Sequence, residues 1–460
     1  MRTSAFSIGC LLVASLAVAQ TPSSPVAGAW EGTLEAPGVK LRMGVAVTVQ
    51  PDGGLSATMD SPDQGAFGLP LSGVTFANRV LRFSLAAARG RFEGQLNDAG
   101  TEIAGTWTQG MPLPLVLRKV EKLTRPNRPQ EPKPPFPYRS EDVAIVNAAG
   151  KAVLAGTLTL PSGAGRFPAA VLITGSGPQN RDEELMGHKP FLVLADYLTR
   201  HGIAVLRYDD RGVGKSSGNF AVATSEDFAG DALAAWQVLS ARPEIDPRRV
   251  GLIGHSEGAL IAPMLAARTP GVAFVVMLAG PGVAGDEIML RQSTSILKAS
   301  GAPDAAVAAN VELQKQVFAI LREETDPARI TERLNAIPAP AGRPDAKAAL
   351  VQQSLSPWLR FFVRYDPVPA LTKVACPVLA LNGELDTQVA ADQNLPIIEA
   401  ALKRGGNADV TVTRLPGMNH LLQTCKTGLP AEYVKIEETM SPAALDTIAT
   451  WIQKRTGLAK

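Results

Sequence analysis

Two patterns of hydrophobic and polar positions divide the chain. From about Val26 to Val120 apolar residues recur at every second position. Leu41, Met43, Val45, Val47 and Val49 alternate with Arg42, Gly44, Ala46, Thr48 and Gln50, the period of a half-buried strand. Pro51-Asp52-Gly53-Gly54, Ser61-Pro62-Asp63 and Asn97-Asp98-Ala99-Gly100 punctuate the run as turns. With the short Gly/Trp strands around Trp30 and Trp107, this predicts a small all-β domain over residues 26–120, a closed or nearly closed barrel of the lipocalin type. Six prolines from Pro126 to Pro137 follow in a polar stretch. They cannot join a helix or an inner strand and predict a semi-rigid spacer over residues 121–140, which sets the domain boundary.

From Ser140 onward apolar strands alternate with helical periods. Val143–Val146 and Ala152–Leu160 read as an opening antiparallel pair. Strands are predicted at Ala169–Ile173, Ile203–Tyr208, Val250–Gly254, Ala273–Leu278, Val378–Leu381 and Val410–Leu415. Helices are predicted at Phe191–Arg200, Glu226–Ala241 (N-capped by Ser225) and Glu257–Ala267, with a last one opened by Ser441-Pro442. Near-continuous apolar strands separated by helices mean a parallel sheet covered on both faces over residues 141–460. Residues 282–369 interrupt the alternation with helical segments (Glu287–Ala299, Ala305–Glu323, Pro327–Ala336) divided at Pro338–Gly342. An all-helical insert between two strands of a parallel sheet is a cap over the strand ends.

Length and composition change this picture little. The 460 residues are 45% hydrophobic and 19% charged with a net charge of +2. That excludes wholesale disorder and gives no reason to expect a nucleic-acid or anionic-membrane partner. The N-terminus adds something. Arg2, the apolar run Ile8–Val18 and Ala17-Val18-Ala19 have the form of a signal peptide over residues 1–19, cleaved near Ala19, and predict a periplasmic or secreted protein. The run is too short to span a bilayer, and Cys10 lies inside it, where a lipoprotein would need a cysteine just after. Cys376 and Cys425 are predicted at opposite ends of the sheet, about 20 Å apart. A disulfide allows about 4.4–6.8 Å between Cα atoms, so two free thiols are expected.

Candidate chemistry rests on Gly-x-Ser-x-Gly, which occurs at Gly214–Gly218 and at Gly254–Gly258. A nucleophile elbow needs a strand running into the motif and a helix leaving it. Only the second has both, which selects Ser256 with elbow glycines Gly254 and Gly258, and leaves Ser216 as a decoy. A serine hydroxyl needs a histidine to take its proton and a carboxylate to fix that histidine's tautomer. Of four histidines, His255 should point away from Ser256 by the geometry of the turn. His188 and His201 precede the serine, against the order serine, acid, histidine. His420, in the loop after the last strand, remains. The exit loop of Val378–Leu381 offers Asp386, chosen over Glu384 because the acid sits a few residues beyond the turn glycine. The oxyanion donors are expected to be the backbone N–H groups of Glu257, at the start of the helix, and Ser176, in the turn Thr174–Pro178. Asp209–Ser216 superficially resembles a phosphate loop, but Asp209 stands where glycine is required. It reads as a structural loop with Asp210 and Arg211 paired to each other. No His/Cys/carboxylate cluster has metal-ligand spacing, so neither a metal nor another cofactor is implied.

From Ser140 to the C-terminus the chain resembles bacterial α/β-hydrolase esterases of the EstD type, within the serine aminopeptidase-like hydrolases. The resemblance rests on Gly175–Asp182, Gly187–Phe191, Arg207–Gly214, Gly254–Gly258 and Leu415–His420. It implies an α/β-hydrolase fold, hydrolysis of small carboxylic esters with short acyl chains, and triad roles on Ser256, Asp386 and His420. Thr174 departs from the pattern, standing where many α/β-hydrolases carry histidine. A peptidase with the same triad would want an acid on the cap to hold the substrate amine, for which Glu287 and Glu312 are available. A carrier with an inactive hydrolase half is the reading of another class.

Overall fold

Alternating strands with turn-forming junctions can bury one face only by curling onto themselves, and the first part of the chain does so. The computed structural model describes residues 24–36, 39–338 and 344–458. The expected signal segment 1–19 and most of the predicted break in the cap, 339–342, lie outside the described residues. Strands β1 (Gly28–Ala36), β2 (Val39–Val49), β3 (Leu55–Ser61), β4 (Ala66–Ala77), β5 (Val80–Leu85), β6 (Gly90–Leu96), β7 (Glu102–Gln109) and β8 (Met111–Val120) form a closed antiparallel barrel. β8 closes it by pairing back on β1, with Trp30 opposite Lys119. The interior is filled by side chains, among them Trp30, Met59, Leu81, Phe92, Ile103, Trp107 and Leu117.

The chain divides into compact units between Arg125 and Pro126. The proline-rich segment takes no regular structure up to β9 (Arg139–Asn147), but it is not a loose spacer. Arg128 donates hydrogen bonds to the carbonyls of Gly187, Met186, Val434 and Ile436. The Gln130 side chain donates to Met440 O and accepts from the N–H groups of Thr439 and Met440, and Tyr138 Oη donates to Asp196. Prolines remove donors from this backbone, so side chains fasten it to the rest of the second unit, to which it belongs.

That unit is a sheet in the order β9-β10-β12-β11-β13-β14-β15-β16, with β10 (Ala152–Leu160), β11 (Phe167–Ile173), β12 (Ala204–Tyr208), β13 (Ile245–His255), β14 (Val275–Leu278), β15 (Val378–Gly383) and β16 (Val410–Leu415). β9, β10 and β12 pair antiparallel, and the remaining pairs are parallel. Along β11, Val171 and Ile173 face one core while Ala170 and Leu172 face the other, so the strand is apolar throughout. On one side lie α2 (Ser225–Ser240), α3 (Glu257–Ala266) and α10 (Ala391–Arg404). On the other lie α1 (Pro190–Arg200) and α12 (Pro442–Thr456). Each Val, Ile or Leu fully removed from water contributes roughly 1.5–3 kcal/mol, which makes these strands the most costly positions to alter. Between β14 and β15 the chain forms α4 (Gly285–Ala299), α5 (Asp304–Glu323), α6 (Pro327–Ala336), α7 (Pro344–Ser354), α8 (Pro357–Arg364) and α9 (Val368–Leu371). Phe318 and Leu321 of α5, Ile330 and Leu334 of α6, and Leu359 and Val363 of α8 give this insert a core of its own. A short α11 (Pro430–Tyr433) lies between β16 and α12.

Two local expectations are corrected. α2 is capped by Thr224, not Ser225. Thr224 Oγ1 accepts from Asp227 N while Asp227 accepts from Thr224 N, a reciprocal box that needs a carboxylate three residues on; Ser225 has Phe228 at that place. Asp210 and Arg211 do not pair with each other, because successive residues leaving a strand point to opposite sides. Arg211 instead makes a two-pronged bond to Asp231 (2.7 and 2.9 Å). Asp210 accepts from Thr174 Oγ1 (2.8 Å) and Gln179 N (2.9 Å). Ser216, the serine of the first motif, donates to Asp209 O and accepts from Ala155 N, a structural use of its hydroxyl. Cys376 and Cys425 carry free thiols.

Because Arg128 serves four carbonyls of distant segments at once, Arg128→Ala is expected to lower the unfolding free energy of the second unit by about 1.5–3 kcal/mol, the range for hydrogen bonds to a charged group. Chemical denaturation measures this; an unchanged midpoint would show that the strap does not stabilise the unit.

Candidate active site

The site begins with one bend. β13 ends at His255 and α3 starts at Glu257, so Ser256 alone turns the chain, at φ 54° and ψ −116°. This is a strained conformation for a residue with a Cβ. It survives because the neighbouring backbones close around it. A Cβ on Gly254 would lie 2.0 Å from Gly258 O, and one on Gly258 would lie 2.0 Å from Ile173 O. Ser256 N also donates to Leu278 O (2.9 Å). The motif's glycines are therefore where α3 is pressed against β13 and β11. The bend lies at the carboxyl ends of β11 and β13, where successive connections leave the sheet in opposite directions, the usual place for a ligand crevice in such a sheet.

A cavity of about 280 Å³ opens there. Ser256, Ser176, Glu257 and His420 line it, together with Glu183 and His255. The cap supplies Ile288, Met289 and Gln292 from α4 and Trp358 and Phe362 from α8, so the helical insert does cover the strand ends. Asp386 stands behind His420. Its Oδ2 is 2.7 Å from His420 Nδ1, and its Oδ1 accepts from Gln388 N (2.8 Å) and Val389 N (2.9 Å). Both residues are buried. With Nδ1 engaged, the free ring nitrogen of His420 is Nε2. No hydrogen bond joins it to the Ser256 hydroxyl in this structure, a common looseness before substrate binds. Glu384, the alternative acid, is exposed and accepts only from Gly417 N, beside Arg414.

The other histidines sort themselves by surroundings. His201 is exposed with Nδ1 on Tyr197 O. His188 is fully buried, with its ring nitrogens on Thr439 Oγ1 (3.1 Å) and Tyr433 O (2.8 Å). Burial pushes its pKa down to about 4, so it is a neutral ring fastening the loop after β16. His255, expected to point away from Ser256, lines the same cavity and faces the loop of His420. Its ring centroid is 4.8 Å from that of His420, with Nδ1 2.9 Å from Glu183 Oε1 and Nε2 3.0 Å from His420 O.

The turn after β11 lies directly on the elbow, since a Cβ on Gly175 would be 3.2 Å from Ser256 Cβ. Gly175 N is already committed to Glu183 Oε1 (2.7 Å). Ser176 and Glu257, the two predicted oxyanion donors, both line the cavity. The Glu257 side chain is buried and accepts from Ser225 Oγ (2.6 Å) and from Trp358 Nε1 (2.8 and 2.9 Å). Burial pushes its pKa up against the hydrogen bonds from Ser225, Ser176 and Trp358. Motif reading missed Glu183, His255 and Trp358 as parts of the site. Only His255 had a signal, its place inside the motif. Glu183 is one of four charged residues in the run Arg181–Glu184, and nothing local says which of them turns inward. Glu287 and Glu312, the cap acids a peptidase would need, are exposed and lie outside the cavity lining. Among the described residues no cluster of three metal-ligating side chains occurs, and no helix is long and apolar enough to cross a membrane.

A largely parallel sheet with helices on both faces, a strand–serine–helix elbow at its switch point and an acid–histidine pair on the following loops define the α/β-hydrolase fold. Within it, the chain belongs to the serine aminopeptidase, S33, family, whose profile matches residues 189–424, a span that holds Ser256, Asp386 and His420. It is a hydrolytic enzyme. The chain is similar to esterase EstD of Thermotoga maritima, at 29% identity over 322 residues, 70% of this chain and 69% of the relative. Among solved structures it resembles an esterase of Pyrococcus furiosus (17% identity, TM-score 0.42, covering 72% of this chain and 98% of that one). It also resembles a proline iminopeptidase-related protein of Thermus thermophilus (20% identity, TM-score 0.42, covering 69% and 98%).

Asp210 backs the turn that carries Ser176. Burial pushes its pKa from 3.8 up to about 8, opposed by the bonds from Gln179 N and Thr174 and assisted by the charges of Glu257 and Glu183. Between those two values the folded chain holds a proton that the unfolded chain has released, so stability falls as pH rises through this window. Asp210→Asn keeps the neutral shape at every pH. Its melting temperature should gain on that of the wild type steadily from about pH 5 to about pH 8. A constant difference across that range rejects a neutral Asp210.

Proposed function

We propose that the protein is a carboxylesterase that works through a Ser256–His420–Asp386 triad and a covalent acyl-enzyme, preferring short acyl chains. The observation that carries the reading is the buried Asp386–His420 pair at 2.7 Å on the wall of the same cavity that Ser256 lines. Asp386 keeps the Nδ1–H tautomer, so His420 Nε2 is free to take the Ser256 proton as Oγ attacks the ester carbonyl. The carbonyl oxygen becomes an oxyanion facing the N–H groups of Ser176 and Glu257, the latter at the positive end of α3. Collapse expels the alcohol, which leaves with the proton from His420. Water, deprotonated by the same imidazole, then attacks the acyl-enzyme, and a second collapse returns the proton to Ser256 and releases the acid.

Size supports a small substrate. The cavity of about 280 Å³ is at the lower end of ligand sites, which run from about 300 to 1,000 Å³. Ile288, Met289, Trp358 and Phe362 give it an apolar side for the acyl chain. The likeness to esterase EstD favours esters over amides, and the cap acids lie outside the cavity lining. The form of residues 1–19 supports work after export, in the periplasm or outside the cell, and the N-terminal sequence of the mature protein tests this.

With p-nitrophenyl esters of increasing chain length, kcat/KM should be highest for acetate and butyrate and fall for long chains. Ser256→Ala should lower turnover by about 10⁴-fold or more. Retained turnover in that variant, or equal cleavage of aminoacyl amides, overturns the assignment.

A further inference from the structure

Glu183 is a residue under three constraints that packing alone does not require. It is 2% exposed, it stands at φ 51° in the left-handed region without being glycine or asparagine, and it is a carboxylate on the wall of an active-site cavity. Such strain is retained where the surroundings hold it. Its Oε1 accepts from both Gly175 N (2.7 Å) and His255 Nδ1 (2.9 Å). The far nitrogen of His255 is 3.0 Å from His420 O.

The two partners, a carboxylate and a carbonyl, favour a positive charge on His255. A neutral imidazole carries one N–H and cannot donate to a carboxylate and a carbonyl together. The imidazolium donates to both partners at once, with the Glu183 carboxylate beside it as counter-charge. Burial opposes that charge, but the Glu183 carboxylate, the His420 carbonyl and the charge of Asp386 together raise the His255 pKa. The titratable groups that face His255 are Glu183 from the loop after β11, Asp386 from the loop after β15 and His420 from the loop after β16.

We propose that Glu183 and His255 are positioning residues, an ion-paired strut that holds the oxyanion turn and the His420 loop in one register. The strut runs Gly175 N–H, Glu183 carboxylate, His255 imidazolium, His420 carbonyl. One end sets the peptide next to the Ser176 donor, and the other sets the backbone of the proton acceptor. Their common target is the ester carbonyl over Ser256, so this inference rests on the function proposed above. Neither residue exchanges protons with the substrate; both act through the groups they hold.

The test is Glu183→Gln in the full chain, assayed on p-nitrophenyl butyrate. Gln keeps the size and an acceptor for Gly175 N but loses the counter-charge. kcat should fall on the order of 10²-fold, the cost of a misplacement near 1 Å, with KM unchanged. Without the carboxylate His255 loses its proton more easily, so the alkaline limb of the kcat–pH profile should move to lower pH. A role limited to stability moves the melting temperature and leaves that limb in place. His255→Gln should lose a similar factor, and the double variant no more than either single one, because the pair acts as a unit. If Glu183→Gln does not fold by circular dichroism, His255→Gln and its pH profile carry the test. Wild-type kcat and an unmoved limb in the folded variant, or additive losses, overturn the strut while leaving the esterase intact. A wild-type protein with neither ester turnover nor fluorophosphonate labelling of Ser256 overturns both.

Discussion

The rest of this structure depends on a backbone that turns in a single residue. Ser256 stands at φ 54° and ψ −116°, and nothing in its side chain favours that state. What holds it is the absence of atoms beside it. Gly254, Gly258 and the end of β11 approach so closely that a Cβ at either glycine would lie about 2 Å from a carbonyl oxygen. The same contact brings the turn after β11 against Ser256, so the bend that lifts the hydroxyl also fixes where Ser176 can be. Strain at Ser256 and placement of the turn 174–178 are one packing event.

Electrostatics around that event is unusual for the proposed reaction, which develops an oxyanion there. Asp210, Glu183 and Glu257 all lie buried near the turn 174–178, and the cavity lining contains no lysine or arginine. Three ionised carboxylates there would oppose an oxyanion. The structure answers in two ways. Burial raises the pKa of Asp210 to about 8 and raises that of Glu257 as well, which favours their neutral forms, while Glu183 is matched by His255. Asp386 differs, because two backbone N–H groups and His420 occupy its oxygens. Acids of one kind thus do different work according to what surrounds them.

Much of the fold was legible because its signals are local. Period-two alternation marked the barrel strands, near-continuous apolar runs marked the sheet, and a strand running into a glycine-flanked serine marked the elbow. The errors were local as well. Ser225 and Thr224 are both plausible caps until the position of Asp227 is considered. A side-by-side Asp210–Arg211 pair is natural on paper, yet consecutive residues leaving a strand face opposite ways, and each found a partner far along the chain. The proline-rich segment showed its lack of regular structure plainly, but not that Arg128 and Gln130 reach across to carbonyls and amides some 60 to 310 positions away.

The sequence by itself determined the order of elements, the serine that bends the chain and one of the two histidine rings that line the same cavity. These follow from spacing, and spacing is written in the chain. Only the tertiary structure decided which charged side chains turn inward, that His255 bridges Glu183 to the His420 loop, and that the cap brings Trp358 down onto Glu257. Those contacts join residues tens to hundreds of positions apart. Their existence depends on how sheet, loops and insert pack, which no local pattern encodes.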